Sequence, residues 1–209
     1  MQLYVFAPSP NSLCCQAVAN HAGLDVEIIN VDLSAGAHMQ PDFIALNPNH
    51  KIPTLADGDF VLWESGAVMA YLAQQAPESG LMPADARLSG QVLQWLFWRT
   101  AHFGPACGVY TFERLVKPMF GMGETDERAI ENVADDFHRF SQVLNEHLRG
   151  RDCMVGDQVT IADHAIVSWL YCAEPAGYPL QDYAEIQRWA GAMLSSSAWQ
   201  DALATIPSP

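Results

Sequence analysis

The stretch Ile52-Pro53-Thr54-Leu55-Ala56-Asp57-Gly58-Asp59-Phe60-Val61-Leu62-Trp63-Glu64-Ser65 decides the fold. Two short apolar runs flank Asp57-Gly58, the dipeptide of tight two-residue turns, so the segment reads as a β-hairpin. Behind Ser65, which reads as a helix N-cap, Ala67, Val68, Tyr71 and Leu72 recur at helical spacing. Working back toward Met1, Leu3 to Phe6 is a short β-prone run, and the cluster Ala7-Pro8-Ser9-Pro10-Asn11-Ser12 breaks it. An alanine-rich helix from about Leu13 to Ala22 stops at Gly23, Val26 to Val31 reads as a second strand, and a short helix lies near Pro41 to Leu46. The order is β-α-β-α-β-β-α, with the first two strands expected to be parallel because a helix joins them.

Residues 77–86, with Pro77, Gly80 and Pro83, read as a linker, and beyond it the pattern turns helical. Leu88 to Ala101, Glu127 to Leu148, Thr160 to Ala173 and Tyr183 to Leu194 are the expected helices. An α/β domain over residues 1–76 is thus followed by an all-α domain over residues 87–209. Thr160 and Asp163 form a capping-box variant with a structural role. Trp95 and Trp98 are expected to fill a core or an interface. Because Leu88 to Ala101 is apolar over most of its circumference, a homodimer is expected.

Composition narrows the function. Ten Lys plus Arg against 24 Asp plus Glu give a formal charge of −14, which repels nucleic acid and anionic membranes. Apolar runs such as Val92 to Trp98 fall far short of the ~18 residues a membrane span needs. The opening Met1-Gln2-Leu3-Tyr4-Val5-Phe6 has no basic n-region or cleavage site, so a cytoplasmic location is expected. The five cysteines show neither C-x-x-C nor metal-ligand spacing; they read as reduced thiols, and no metal is expected.

Ala37-His38-Met39-Gln40-Pro41-Asp42-Phe43, Asn47-Pro48-Asn49-His50-Lys51-Ile52-Pro53-Thr54-Leu55 and Leu62-Trp63-Glu64-Ser65, with Tyr71-Leu72-Ala73, resemble the glutathione-binding half of theta- and delta-type glutathione transferases. Pro8-Ser9-Pro10-Asn11-Ser12-Leu13 and Ala22-Gly23-Leu24-Asp25 are similar to bacterial beta-type members, and Thr160-Ile161-Ala162-Asp163 to the family's helix-capping motif. The resemblance implies a thioredoxin-like first domain, glutathione as co-substrate and a homodimer. It implies as second substrate a small hydrophobic electrophile or a disulfide, with detoxifying conjugation, peroxide reduction or disulfide reduction as the reaction.

Glutathione carries two carboxylates, extended peptide groups and a thiol that reacts as thiolate. Ser65 at a helix N-terminus offers a hydroxyl and outward backbone N–H groups to the γ-glutamyl carboxylate, and Glu64 can accept from its ammonium group. Taken alone, the same two residues also read as a plain N-cap and a solvated acid. The resemblance implies that the peptide bond before Pro53 is cis and that the Ile52 backbone meets the cysteinyl part. It also assigns His38, His50 and Lys51 to the glycyl carboxylate, although isolated loop histidines are usually just exposed. Delta-type members often carry arginine after the serine, where this chain has Gly66.

Two alignments compete for the thiol-activating residue. The serine-type pattern gives Ser9 and the beta-type spacing gives Asn11, while Ser12 is a third candidate that also reads as a simple helix N-cap. Arg99, His102 and Phe103, at the end of the aromatic-rich helix, are second-substrate candidates. A reading from another class is a non-catalytic interaction protein that keeps the fold, favoured by Gly66 and the mixed first-loop motif.

Overall fold

The computed structural model describes residues 1–207 and divides into two compact units. The first holds Met1–Pro83 and the segment from Ser195 onward, and the second holds Ala84–Leu194.

In the first unit β1 (Gln2–Val5), α1 (Pro10–His21), β2 (Glu27–Asn30), α2 (Pro41–Leu46), β3 (Thr54–Asp57), β4 (Phe60–Trp63) and α3 (Ser65–Gln75) follow one another, with a 3-10 turn at Ala37–Met39. The sheet order is β2-β1-β3-β4; β1 and β2 run parallel, as expected across a helical crossover, and the other pairs are antiparallel. β3 lies between β1 and β4, and its Thr54, Leu55 and Ala56 are all buried. Asp57 pairs with Phe60 across the hairpin, and Gly58 supplies the positive φ of 62° that the turn requires. Leu3 and Val5 of β1 enter the core in the two-residue period of a strand.

α1 is nearly all buried because it packs against both α3 and a further helix, α10 (Ser197–Leu203). Asn20 Nδ2 donates to the Ala198 carbonyl at 3.1 Å. The tail that the sequence reading groups with the helical domain at 87–209 thus packs in part on the first unit, up to residue 207; residues 208 and 209 lie outside the described residues.

The second unit is helical: α4 (Ala86–Trp98), α5 (Gly104–Thr111), α6 (Lys117–Phe120), α7 (Glu127–His147), α8 (Ile161–Leu170) and α9 (Ala184–Leu194). Two π-helical turns, Arg99–Phe103 and Phe112–Val116, join α4 to α5 and α5 to α6. The sequence reading has no helix over 104–120, where Gly104-Pro105 stands at the start. Pro105 sits instead in the first turn of α5, where a missing N–H costs little. A Cβ on Gly104 would meet the Arg99 carbonyl at 2.7 Å and Trp169 Nε1 at 3.0 Å, so the glycine permits this close packing. The capping box is present: the Asp163 carboxylate accepts from Thr160 N–H (2.8 Å), Thr160 Oγ1 (3.0 Å) and Met154 N–H (2.7 Å). Burial is the main influence on Asp163 and raises its pKa despite those donors.

Candidate functional site

The first loop differs in one respect from its sequence reading. α1 begins at Pro10, not near Leu13, and its N-cap is Ser9: Ser9 Oγ accepts from the Ser12 amide at 3.4 Å. The Ser9 hydroxyl keeps its own proton to donate, at the positive end of a twelve-residue helix. Ser12 is not the cap. Its side chain is 0% exposed, and its Oγ accepts the Phe6 amide at 3.2 Å, which ties the end of β1 to the helix. A hydroxyl without accessible surface cannot touch a ligand from solution, so Ser12 is corrected from catalytic candidate to packing residue. Asn11 is partly exposed.

The start of α3 carries the second cluster. Glu64, not Ser65, is the N-cap residue; it is exposed and has the backbone angles φ 72° and ψ 116°, outside the usual regions for a side chain of its size. Holding a non-glycine residue there costs on the order of 1–3 kcal/mol, and such residues cluster at ligand sites. Ser65 is the first helical residue and nearly buried. The helical ladder starts with Val68 N–H on the Glu64 carbonyl at 2.9 Å, so the amides of Gly66 and Ala67 point out of the helix end. Ser65 Oγ donates to Asn11 Oδ1 at 3.3 Å, which joins the α3 cluster to the first loop.

The third cluster is the loop before β3. The Ile52–Pro53 peptide is cis, as the resemblance implies. His50 has a left-handed backbone (φ 57°), and its Nδ1 lies 3.2 Å from Met39 Sδ. Lys51 is exposed and Ile52 partly so. His38 stands partly exposed on the 3-10 turn, with its Nδ1 buried and without a hydrogen-bond partner among the described residues. Just before that turn Asp32 accepts from the Ser34 hydroxyl and from the Ser34 and Ala35 amides. The Ser34 hydroxyl is the largest influence holding the Asp32 pKa below the usual carboxylate value.

Asn47 organises this loop, and sequence reasoning missed it. Its buried side chain donates to the Lys51 carbonyl (2.7 Å) and to Thr54 Oγ1 (3.1 Å), while its Oδ1 accepts from the backbone and side chain of Asn49 (both 3.0 Å). The available signal was an amide four residues before Lys51, the spacing of a side chain closing a short loop.

The three second-substrate candidates separate. Arg99 is only 5% exposed; its Nε donates to the Ala165 carbonyl at 3.2 Å and its NH2 group to Ser168 Oγ at 3.3 Å, and its guanidinium lies 5.5 Å from the Trp169 ring centre. Phe103 is 0% exposed and stacks on Trp98. Both side chains pack inside the helical unit, whereas Thr100, Ala101 and His102 of the same π-turn are exposed. His102 is exposed and stacks on Phe140 at 5.1 Å.

The family model described as glutathione S-transferase, N-terminal domain, matches residues 1–74, and the corresponding C-terminal domain model matches residues 104–196. Glutathione S-transferase 3 of Zea mays is 37% identical over 219 residues, which covers 100% of this chain and 96% of the relative. The disulfide-bond oxidoreductase YfcG of Escherichia coli strain K12 is 32% identical over 206 residues, covering 95% and 92%. A glutathione transferase of Pseudomonas putida, solved with one glutathione disulfide bound per subunit, superposes with a TM-score of 0.84 at 30% identity over 99% of this chain and 91% of that one.

Proposed function

The chain belongs to the glutathione S-transferase family, and on that premise we propose that it binds glutathione, ionises its thiol and directs the thiolate at a second substrate. One observation carries the reading. The Ser65–Asn11 contact joins the α3 N-terminus, suited to a carboxylate, to the start of α1, suited to a thiolate.

In this reading the γ-glutamyl carboxylate lies on the Ser65 hydroxyl and the α3 amides, with its ammonium group against Glu64. The Ile52 backbone pairs with the cysteinyl peptide groups, and His38, His50 and Lys51 face the glycyl carboxylate. The Ser9 hydroxyl donates to sulfur, and the α1 dipole adds to it; both favour thiolate over thiol. The thiolate then forms a bond to an electrophilic carbon with expulsion of its leaving group, or to one sulfur of a disulfide with release of the other as thiolate. His102 is the second-substrate candidate that keeps accessible surface. Likeness to a plant transferase supports conjugation, and likeness to a disulfide oxidoreductase supports thiol–disulfide exchange. The family relatives do not favour a non-catalytic role.

Retention on immobilised glutathione, followed by parallel assays of conjugation to an aromatic halide, peroxide reduction and disulfide reduction, tests this. Retention without turnover in any of the three would return the interaction-protein reading.

A homodimer belongs to the same proposal. Leu93 and Phe97, four residues apart on one face of α4, stand 42% and 70% exposed, an apolar pair suited to a partner surface. A monomer mass by light scattering at micromolar concentration counts against pairing. From the charge of −14 we infer that neither nucleic acid nor an anionic membrane surface is a partner. Among the described residues no helix is long and apolar enough to cross a membrane.

A further inference from the structure

The contact between Ser65 and Asn11 is one that a ligand must contest. Ser65 Oγ donates to Asn11 Oδ1 at 3.3 Å, and a hydroxyl has a single proton, so it cannot serve Asn11 and a carboxylate together. At 3.3 Å this neutral contact is longer than the roughly 2.5–3.0 Å usual for O–H···O, whereas a bond to a carboxylate is shorter and about twice as strong. The carboxylate wins that competition.

The backbones of the two residues are held in place while their side chains exchange partners. The Asn11 carbonyl accepts the Cys14 thiol at 3.2 Å, and the Ser65 carbonyl accepts the Cys15 thiol at 3.5 Å. Both cysteines are fully buried on α1, which itself packs on α3. The change is therefore confined to side-chain torsions.

We propose that this contact is a ligand-operated latch: a γ-glutamyl α-carboxylate seated at the start of α3 accepts the Ser65 hydroxyl's hydrogen bond in place of Asn11, and the Asn11 carboxamide then turns its Nδ2–H groups toward the thiolate at the start of α1. The proposal rests on the glutathione-binding reading above. It makes Ser9 the standing donor to sulfur and Asn11 a conditional one. A thiol without the γ-glutamyl carboxylate, such as cysteine or cysteinylglycine, meets only the standing donor and stays more protonated. The site then recognises glutathione by reactivity as well as by binding.

The test compares glutathione with γ-aminobutyryl-cysteinylglycine, the same tripeptide with hydrogen in place of the γ-glutamyl α-carboxylate and with the ammonium group kept. Thiolate absorbance is followed against pH in saturated complexes of the wild-type protein, Asn11→Ala and Ser65→Ala, with saturation established by calorimetry. Charge repulsion alone makes the analogue's bound thiol the more acidic of the two, because a nearby negative charge has been removed. The latch gives the opposite sign: in the wild type the analogue's thiol pKa is higher by about half to one unit, or about 3- to 10-fold less thiolate at a fixed pH, the worth of one hydrogen bond to a charged sulfur less the repulsion that the missing carboxylate no longer exerts. In Asn11→Ala and Ser65→Ala that difference disappears or reverses. Should Ser65→Ala fail to fold, the wild type and Asn11→Ala carry the comparison by themselves. A wild-type analogue pKa equal to or below that of glutathione overturns the latch and leaves glutathione binding intact. Absence of any binding heat with glutathione overturns both the latch and the reading beneath it.

Discussion

The Asn47 side chain donates to the Lys51 carbonyl at 2.7 Å and so closes the loop that presents His50, Lys51 and Ile52. With its second donor bond to Thr54 and two accepted bonds from Asn49, this buried amide holds the turn from inside. Asn47→Ala removes the shorter of two donors to the Lys51 carbonyl, which keeps only Thr54 Oγ1 at 3.2 Å, and takes from exposed Asn49 the acceptor of its backbone and side-chain donors. The expected loss of stability is about 1–3 kcal/mol, read from denaturant midpoints, with weaker glutathione binding by calorimetry because the loop shifts. An unchanged midpoint together with unchanged affinity would show that the loop keeps its shape without Asn47.

Ser9 and Ser12 lie three residues apart and should fail in different ways. Ser9→Ala removes the proposed donor to sulfur, and turnover falls about 10- to 1,000-fold with a raised pKa for bound glutathione. It also removes a cap, at about 0.5–2 kcal/mol. Ser12→Ala leaves the Phe6 amide without its 3.2 Å acceptor and costs stability, with the thiol titration in place. Thiolate absorbance against pH for the two variants separates these outcomes; a shift for Ser12→Ala alone would reverse the assignment.

Gly66 follows Ser65, and a Cβ built on it meets nothing within 4 Å. Gly66→Arg therefore meets no obstacle at its first side-chain carbon and adds a cation beside the proposed carboxylate site. A charged hydrogen bond, worth about 1.5–3 kcal/mol, outweighs the roughly 0.3–1 kcal/mol penalty of a cation at a helix N-terminus. The KM for glutathione is expected to fall several-fold with little change in melting temperature. A KM that stays the same or rises would place the carboxylate elsewhere.

What was legible in the sequence was local. Gly58 marks a tight turn, whose central pair is Gly58-Asp59 and not Asp57-Gly58, and the hairpin, the parallel β1–β2 crossover and the Thr160–Asp163 cap follow from residues near one another in the chain. The N-cap was misplaced to Ser12 because Pro10 at the first helical position looks like loop until the Ser9 bond to the Ser12 amide is seen. α10 went unread because Ser195-Ser196-Ser197 resembles a loop, and its helix is held by packing on α1. Arg99 and Phe103 read as cleft residues because their burial depends on α8 and on a π-turn, neither of which leaves a local mark. Asn47 was missed for the same reason, since its partners gather only when the loop closes.

His147 gives the fold a dependence on pH. It lies at the end of α7, its Nε2 2.8 Å from the Met154 carbonyl and its ring 4.5 Å from that of Trp95. Burial is the largest influence and lowers its pKa below 6.5; His21 is lowered in the same direction by burial. The unfolded chain therefore binds these protons first, and stability present above about pH 6.5 is lost as pH falls through the depressed folded values. His147→Gln, which keeps an amide donor for Met154, should flatten the fall in unfolding free energy below about pH 6.5. An identical slope in variant and wild type would assign the pH dependence to other groups.

Arg99 and His102, three residues apart on one π-turn, provide the last contrast. The Arg99 guanidinium bonds the Ala165 carbonyl and Ser168 hydroxyl and lies over Trp169, so it fastens the turn to α8 from within the helical unit. Arg99→Ala removes those donors and opens a hole, at about 2–4 kcal/mol by analogy with large-to-small changes in cores. Lysine cannot reproduce a planar fork that bonds two acceptors while stacking on an indole, so Arg99→Lys should recover little of the loss. His102 is exposed on Phe140, and His102→Ala should leave the denaturant midpoint within about 0.5 kcal/mol of the wild type. If His102 meets the second substrate, its replacement raises KM for that substrate and leaves KM for glutathione alone. Steady-state kinetics with each substrate varied in turn, set beside unfolding curves for the three variants, decides the matter: an Arg99→Ala protein of wild-type stability with a raised second-substrate KM would return Arg99 to the cleft.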